Sequence, residues 1–211
     1  MTRASTAFVL ASASPARRSV LRAAGIEPVV HVSTVDEDAL RAELPIAEPG
    51  ALVTALARAK AVDVAAAHHF VDAVVVGCDS MLHIGGQLVG KPRTVDVARK
   101  QWTQLSGNHG DLLTGHCVLR VRAGHVTAEA IGTACTTVRF AAPPPLELEA
   151  YLATGEPLEV AGAFTLDGLG GWFVDGLDGD PSSVVGIGLP LVRRLLREVG
   201  VSVVELWTPP S

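Results

Sequence analysis

Ala73-Val74-Val75-Val76-Gly77-Cys78-Asp79-Ser80 is the stretch on which the fold assignment turns. An uncharged run with three adjacent valines reads as a short strand buried on both faces, as found in an α/β sheet with helices on each side. The run leads directly into a carboxylate. Ligands of α/β sheets gather beyond the carboxyl ends of strands, so Asp79 is a candidate site residue. On position alone, an Asp that caps a turn or a following helix is an equally good reading.

Toward the amino terminus, Phe8 to Ala11 reads as a first buried strand. Pro15 follows Ser14 where a helix can begin, and that helix should reach Ala24 and stop at Gly25. Val29 to Val32 suggests a second strand, followed by the acidic run Asp36-Glu37-Asp38 and an alanine-rich helix from Gly50 to Ala67 that carries Arg58 and Lys60. Beyond Ser80, Gly85-Gly86 reads as a two-residue hairpin turn. Thr94 should cap a helix from Val95 to Leu105 that ends at Gly107. Two β-rich stretches, Leu112 to Arg122 and Val126 to Phe140, meet at Ala123-Gly124 as a second hairpin. Pro143-Pro144-Pro145 precedes a helix at Glu147 to Thr154. Residues 162–188 are loop-rich, and Leu189 to Val199 gives a last helix before a strand at Val201 to Trp207. Strands that partly alternate with helices and partly form hairpins indicate an α/β protein with a mixed sheet.

The chain has 211 residues, is 48% hydrophobic and carries a formal charge of −5, so a substantial core is available and a broad basic face is not. Nucleic acid is excluded as an expected partner, because a duplex backbone requires such a face. A small polyanion needs only a few placed cations. Cys78, Cys117 and Cys135 are odd in number, lack CxxC spacing and sit in apolar segments, which predicts buried reduced thiols in a cytosolic protein. The apolar run after Met1 is too short for a secretory leader, and no stretch reaches transmembrane length; the expectation is a cytoplasmic protein without membrane contact.

The cations suited to a polyanion lie in three places. Gly90-Lys91-Pro92 follows the hairpin that returns the chain toward the end of the Asp79 strand. Gly85 to Lys91 spells GxxxxGK, but Pro92 lacks the hydroxyl that would ligate magnesium and the strand-loop-helix context is absent, so Lys91 reads as a point charge rather than part of a phosphate-binding loop. Ser12, Ser14, Arg17 and Arg18 surround a strand-to-helix turn whose N–H groups favour an anion, although a plain serine cap with solvated arginines explains the same residues. Lys60 is the third. The acidic run at 36–38 is a solvated loop or the source of a second carboxylate beside Asp79, and magnesium held by one or two carboxylates plus substrate phosphates would suit the latter. His68-His69, at a helix end, lacks a carboxylate or cysteine partner at metal-ligand spacing, and His109 and His116 belong to loop or strand and read as structural. Ser182-Ser183 has no GxSxG elbow, and the glycines at 168–171 and 186–188 lack a βαβ context.

In this order, the pieces resemble the Maf family of nucleotide pyrophosphatases. The likeness runs through Leu10-Ala11-Ser12-Ala13-Ser14-Pro15 with Arg17, Val35-Asp36-Glu37, Ala59-Lys60-Ala61, Gly77-Cys78-Asp79-Ser80, Gly90-Lys91-Pro92 and Leu105-Ser106-Gly107. It continues through Thr114-Gly115, Gly155-Glu156-Pro157, Ala161-Gly162-Ala163-Phe164 and Val185-Gly186 with Leu189-Pro190. The resemblance implies the Maf/Ham1-like α/β fold, a long mixed sheet in one domain over 1–211. Two lobes would flank a nucleotide cleft, with boundaries near 107–115 and 141–146. It implies hydrolysis of nucleoside triphosphates to monophosphate and pyrophosphate, with Asp79, Glu37, Lys60 and Lys91 catalytic and Ser12, Ser14 and Arg17 on the phosphates. Asp79 and Glu37 would hold Mg2+ or Mn2+, and the protein would be a homodimer. Family members that look specific for pyrimidine triphosphates carry Arg, Thr and Gln where this chain has Ala16, Ser80 and Asp167. Ser-Pro-x-Arg-Arg and Gly179-Asp180-Pro181 look more like the branch that acts on methylated guanine nucleotides. Base preference thus stays open between pyrimidine and modified purine. The competing expectations are a nucleotide-sensing regulator of septum formation acting through a protein partner, and a phosphatase releasing orthophosphate.

Overall fold

The computed structural model describes residues 6–44 and 48–208. A seven-stranded mixed sheet has the order β2-β1-β3-β5-β6-β7, with β4 paired to β3 alone. β1 (Ala7–Leu10) lies parallel to both β2 (Val29–Val30) and β3 (Asp72–Ile84). β3 pairs antiparallel with β4 (Gln87–Val89) and with β5 (His109–Arg122), which pairs in turn with β6 (His125–Phe140); β7 (Val174–Asp178) closes the far edge. The helices are α1 (Pro15–Ala23), α2 (Glu37–Glu43), α3 (Pro49–Ala67), α4 (Val95–Leu105), α5 (Pro145–Ala153), α6 (Pro181–Val185) and α7 (Leu189–Glu198). The α/β class and the mixed sheet are those expected.

β3 carries the architecture. Its residues alternate between faces, as a pleated strand requires. Ala73 and Val75 pack with Ala57, Ala61 and Val64 of α3, whereas Val74, Val76 and Cys78 pack on the opposite side with Leu21 of α1 and Leu195 and Leu196 of α7. Further along, Leu82 and Ile84 join Trp102 of α4 and Phe140 and Phe164 in another cluster. Trp102 is fully buried, and its indole N–H donates to the Ala163 carbonyl at 2.8 Å, so the large ring leaves no polar atom stranded.

Two glycines let α3 lie directly on this sheet. A Cβ at Gly77 would sit 2.1 Å from the Ala57 carbonyl oxygen, and one at Gly115 would sit 2.3 Å from the Val53 carbonyl carbon. Both are therefore positions where backbone meets backbone and a side chain has no room.

Several expectations are corrected. β3 does not stop at Gly77 but continues to Ile84, so Asp79 lies within a strand rather than beyond its end. The predicted strand from Val201 to Trp207 is instead a 3-10 turn, Val203–Leu206, closed by a capping box between Ser202 and Glu205. Residues 162–188 contain β7 and α6. Cys78 and Cys117 are buried as expected, but Cys135 is exposed on β6. Among the described residues no helix is long and apolar enough to cross a membrane.

Candidate active site

Asp79 stands two residues after Gly77 and pairs across the ladder with Gly115, so it shares the face on which α3 rests. This close packing brings Lys60 of α3 to it: Nζ donates to Asp79 Oδ1 at 2.7 Å. The same ammonium lies 2.7 Å from Glu37 Oε1. Glu37 begins α2, whose first turn is fixed by the Asp36 side chain accepting from the backbone N–H groups of Asp38 and Ala39. The acidic run is thus a capped helix start, with Glu37 turned toward Lys60.

Lys60 and Asp79 are 8% and 4% exposed. Two carboxylates on one ammonium leave a net negative charge, and Asp79 Oδ2 is buried with no hydrogen-bond partner. A buried, unpaired carboxylate oxygen is costly unless a cation or donor meets it. Burial pushes the Glu37 carboxyl up, but the Lys60 hydrogen bond and the charges of Lys60, Arg41 and Lys91 outweigh it and hold the group below its ordinary range. Arg41, one turn after Glu37, reaches its Oε2 at 3.3 Å; it was not among the expected site residues, although the i,i+4 spacing is a signal for it.

Lys91 is exposed, and its charge acts on Glu37. Its backbone is held on both sides: the Gly90 carbonyl accepts from Gly162 N–H at 3.2 Å, and Arg93 N–H donates to the Leu158 carbonyl at 3.0 Å. Arg93 adopts a φ of 63°, a conformation a non-glycine residue keeps only when its surroundings impose it.

The other face of β3 presents Ser80. Arg17, 9% exposed, donates from Nε to the Gly186 carbonyl, from Nη1 to Ser12 Oγ and the Cys78 carbonyl, and from Nη2 to Ser80 Oγ. A guanidinium has five N–H groups, so one is left for a ligand. Arg17, expected on the phosphates, ties α1, β3 and the segment after α6 together with its other donors. Ser14 Oγ caps α1 through Arg17 N–H, and Ser12 Oγ accepts from Ser14 N–H, which shapes the turn. Ala16 is half-buried in the first turn of α1, and Asp167 is exposed in the 166–168 bend.

A hydroxyl chain that the sequence did not reveal extends from Ser80. Its Oγ lies 3.0 Å from Thr114 Oγ1, which donates to the Ser183 carbonyl; Ser183 Oγ lies 2.9 Å from Thr136 Oγ1. His116 is fully buried nearby, with Nε2 accepting from Gly188 N–H at 2.8 Å and Nδ1 donating to the Thr114 carbonyl at 3.0 Å. Burial, reinforced by the Arg17 charge, pushes its pKa down to about 4, so the ring is neutral and structural. Thr114 belongs to the Thr114-Gly115 motif, but nothing in its spacing reveals the partners.

The structure therefore brings Asp79, Glu37 and Lys60 into contact, sets Lys91 within charge range of Glu37, and gathers Ser12, Ser14 and Arg17 at the β1–α1 turn, from which Arg17 reaches Ser80 on β3. A family model described as Maf-like protein matches residues 7–199, and the chain belongs to that family. It is 64% identical over 207 residues to a protein of Nocardia farcinica named nucleoside triphosphate pyrophosphatase, a match covering 97% of this chain and 98% of that one. Proteins of the same name from Rhodococcus opacus and Mycolicibacterium gilvum are 65% and 56% identical, covering 96% of this chain in each case and 96% and 99% of theirs.

Proposed function

We propose that this chain hydrolyses nucleoside triphosphates, ordinary or modified, to nucleoside monophosphate and pyrophosphate in the cytoplasm, acting as a homodimer. The observation that carries the reading is the unpartnered Oδ2 of Asp79, buried beside Lys60 and Glu37, with the exposed Lys91 within charge range of Glu37. The family membership and the shared name of close relatives support the same class.

The donor set fits a divalent cation. Mg2+ or Mn2+ prefers oxygen ligands and is commonly held by one or two carboxylates together with substrate phosphates, and Asp79 Oδ2 with Glu37 offers that set. Such a cation, when bound, supplies charge neutralisation on phosphate oxygens. The remaining work falls to the protein. The residual N–H of Arg17, the turn at Ser12 and Ser14, and the Lys91 ammonium bind and orient the phosphates. Water attacks the α-phosphorus, the bond to the bridging oxygen breaks, and pyrophosphate leaves; a carboxylate of the Asp79–Glu37 pair accepts the proton of the attacking water. Lys60 holds both carboxylates in place, and positioning with electrostatic stabilisation supplies most of the rate. Base preference is assigned to Ala16, Ser80 and Asp167. An acidic Asp167 accepts hydrogen bonds from a donor edge such as that of guanine and does not reproduce a glutamine, which also donates.

The test is incubation with Mg2+ or Mn2+ and a panel of triphosphates, with monophosphate, pyrophosphate and orthophosphate measured separately. Pyrophosphate release that disappears in Asp79→Asn is the expected result. Release of orthophosphate alone, or full activity in Asp79→Asn, refutes the assignment.

A further inference from the structure

Glu156 has no part in the proposed chemistry, yet it organises the loop that carries Asp167. It opens a 3-10 turn, Glu156–Glu159, after Gly155 in the left-handed conformation. Its Oε1 accepts a short hydrogen bond from Thr165 Oγ1 and another from Gly170 N–H at 3.0 Å, and its Oε2 accepts from Leu169 N–H at 3.1 Å. These donors bracket Asp167 on both sides. The loop is drawn in closely: a Cβ at Gly168 would fall 2.8 Å from either Glu156 carboxylate oxygen, and one at Gly170 would fall 2.5 Å from the Tyr151 hydroxyl. Burial pushes the Glu156 carboxyl up, but the hydrogen bonds from Thr165, Leu169 and Gly170 outweigh it and hold the group below its ordinary range.

The same stretch of chain reaches the phosphate side of the site. Leu158 and Gly162 make the backbone hydrogen bonds that flank Lys91, and Ala163 receives the Trp102 indole N–H. Residues 156–170 thus anchor the Lys91 backbone through one part and present the exposed Asp167 through another. Fixing one relative to the other is what a site needs if it is to measure a base against bound phosphates.

We propose that Glu156 is a positioning residue for base selection, holding the 165–170 loop so that Asp167 meets the base at a set reach from Lys91. This rests on the reading of Asp167 as a base-contacting side chain. Loss of the Glu156 carboxylate removes the acceptor shared by Thr165, Leu169 and Gly170, of which only Gly170 N–H keeps another, Thr165 Oγ1 at 3.1 Å, and it leaves Lys60, Asp79 and Glu37 untouched.

The experiment measures kcat and KM for Glu156→Ala across the triphosphate panel, together with inhibition by inorganic pyrophosphate as a probe that has no base. The ratio of kcat/KM between the best and worst bases should shrink about tenfold, mostly through KM, as expected for loss of a hydrogen bond to a charged group. Inhibition by pyrophosphate should stay within about twofold of the parent, since its subsite is not altered. Glu156→Gln keeps one acceptor and should fall between the two; it carries the test if the alanine variant does not fold. A common loss for every base, with the ratio unchanged, overturns the proposal, and so does weakened pyrophosphate inhibition in step with the nucleotide rates. Asp167→Gln separates the two layers. If it leaves the base ranking unchanged, the reading of Asp167 fails; if it shifts the ranking while Glu156→Ala does not, only the positioning role fails.

Discussion

Gly115→Ala should disable the site without touching any polar group in it. Gly115 lies opposite Asp79 in the β3–β5 ladder, and a Cβ there would come within 2.3 Å of both the carbonyl carbon and oxygen of Val53. Ordinary contact begins at 3.4 Å, so α3 has to retreat by about 1 Å at that point. Both obstructing atoms are helix backbone, which cannot rotate aside as a side chain would. The Lys60–Asp79 hydrogen bond, now 2.7 Å, would stretch beyond hydrogen-bond range if the helix moved rigidly. The flexible lysine stem recovers part of that distance, so the expected loss in kcat/KM is about 10- to 100-fold. Overpacking of this kind costs about 1–3 kcal/mol, and in a chain of this size each kcal/mol lowers the melting temperature by about 2–4 °C. Gly50→Ala is the control within the same helix, because its Cβ meets only the Thr133 side chain at 3.6 Å and should be tolerated. Pyrophosphate release and calorimetry on the two variants decide the matter. Parental kcat/KM and melting temperature in Gly115→Ala would refute the account of how α3 delivers Lys60.

Two further outcomes are expected. Lys60→Met leaves the buried Asp79 without its cation and should lower stability in urea by about 3–5 kcal/mol, with most of that regained, but no activity, on adding Asp79→Asn; a single variant as stable as the parent refutes the electrostatic account. His116 titrates at about 4 when folded against an ordinary value of 6.5, so between these pH values the unfolded chain binds the proton and the folded one does not. The stability this ring contributes is complete above 6.5 and is lost as pH falls toward 4, by about 3 kcal/mol in all, and His116→Gln should flatten that part of the urea-midpoint profile. An unchanged profile in the variant removes His116 as its source.

Elements with local punctuation are legible from the residues alone. The helix from Val95 to Leu105 matches its expected bounds because Thr94 supplies an N-cap whose hydroxyl accepts from Val97 N–H, and apolar residues at 98, 102 and 105 define one buried face. The Gly85-Gly86 hairpin turn lies between β3 and β4 as expected, with both glycines at positive φ. Other elements mislead. Val201 to Trp207 has the β-branched composition of a strand, but no neighbouring strand pairs with it among the described residues, and the Ser202–Glu205 capping box winds it into a turn. Gly77 looks like a strand end because glycine weakens strands; here it lets the Ala57 carbonyl approach, and β3 runs on through Asp79. Cys135 sits in an apolar stretch yet is exposed, since burial depends on which face of β6 another element covers.

The α/β class, the candidate carboxylates and lysines, and the family are all written in the order of residues, because apolar runs, caps and motif order are properties of near neighbours along the chain. Three features are not. One lysine on α3 holds carboxylates from both β3 and α2, Arg17 spends most of its donors on the protein, and Glu156 gathers the loop bearing Asp167. Those are distances between residues far apart in the chain. They follow from the packing of α3 on Gly77 and Gly115 and of the 156–170 segment beside Lys91, which no local pattern encodes.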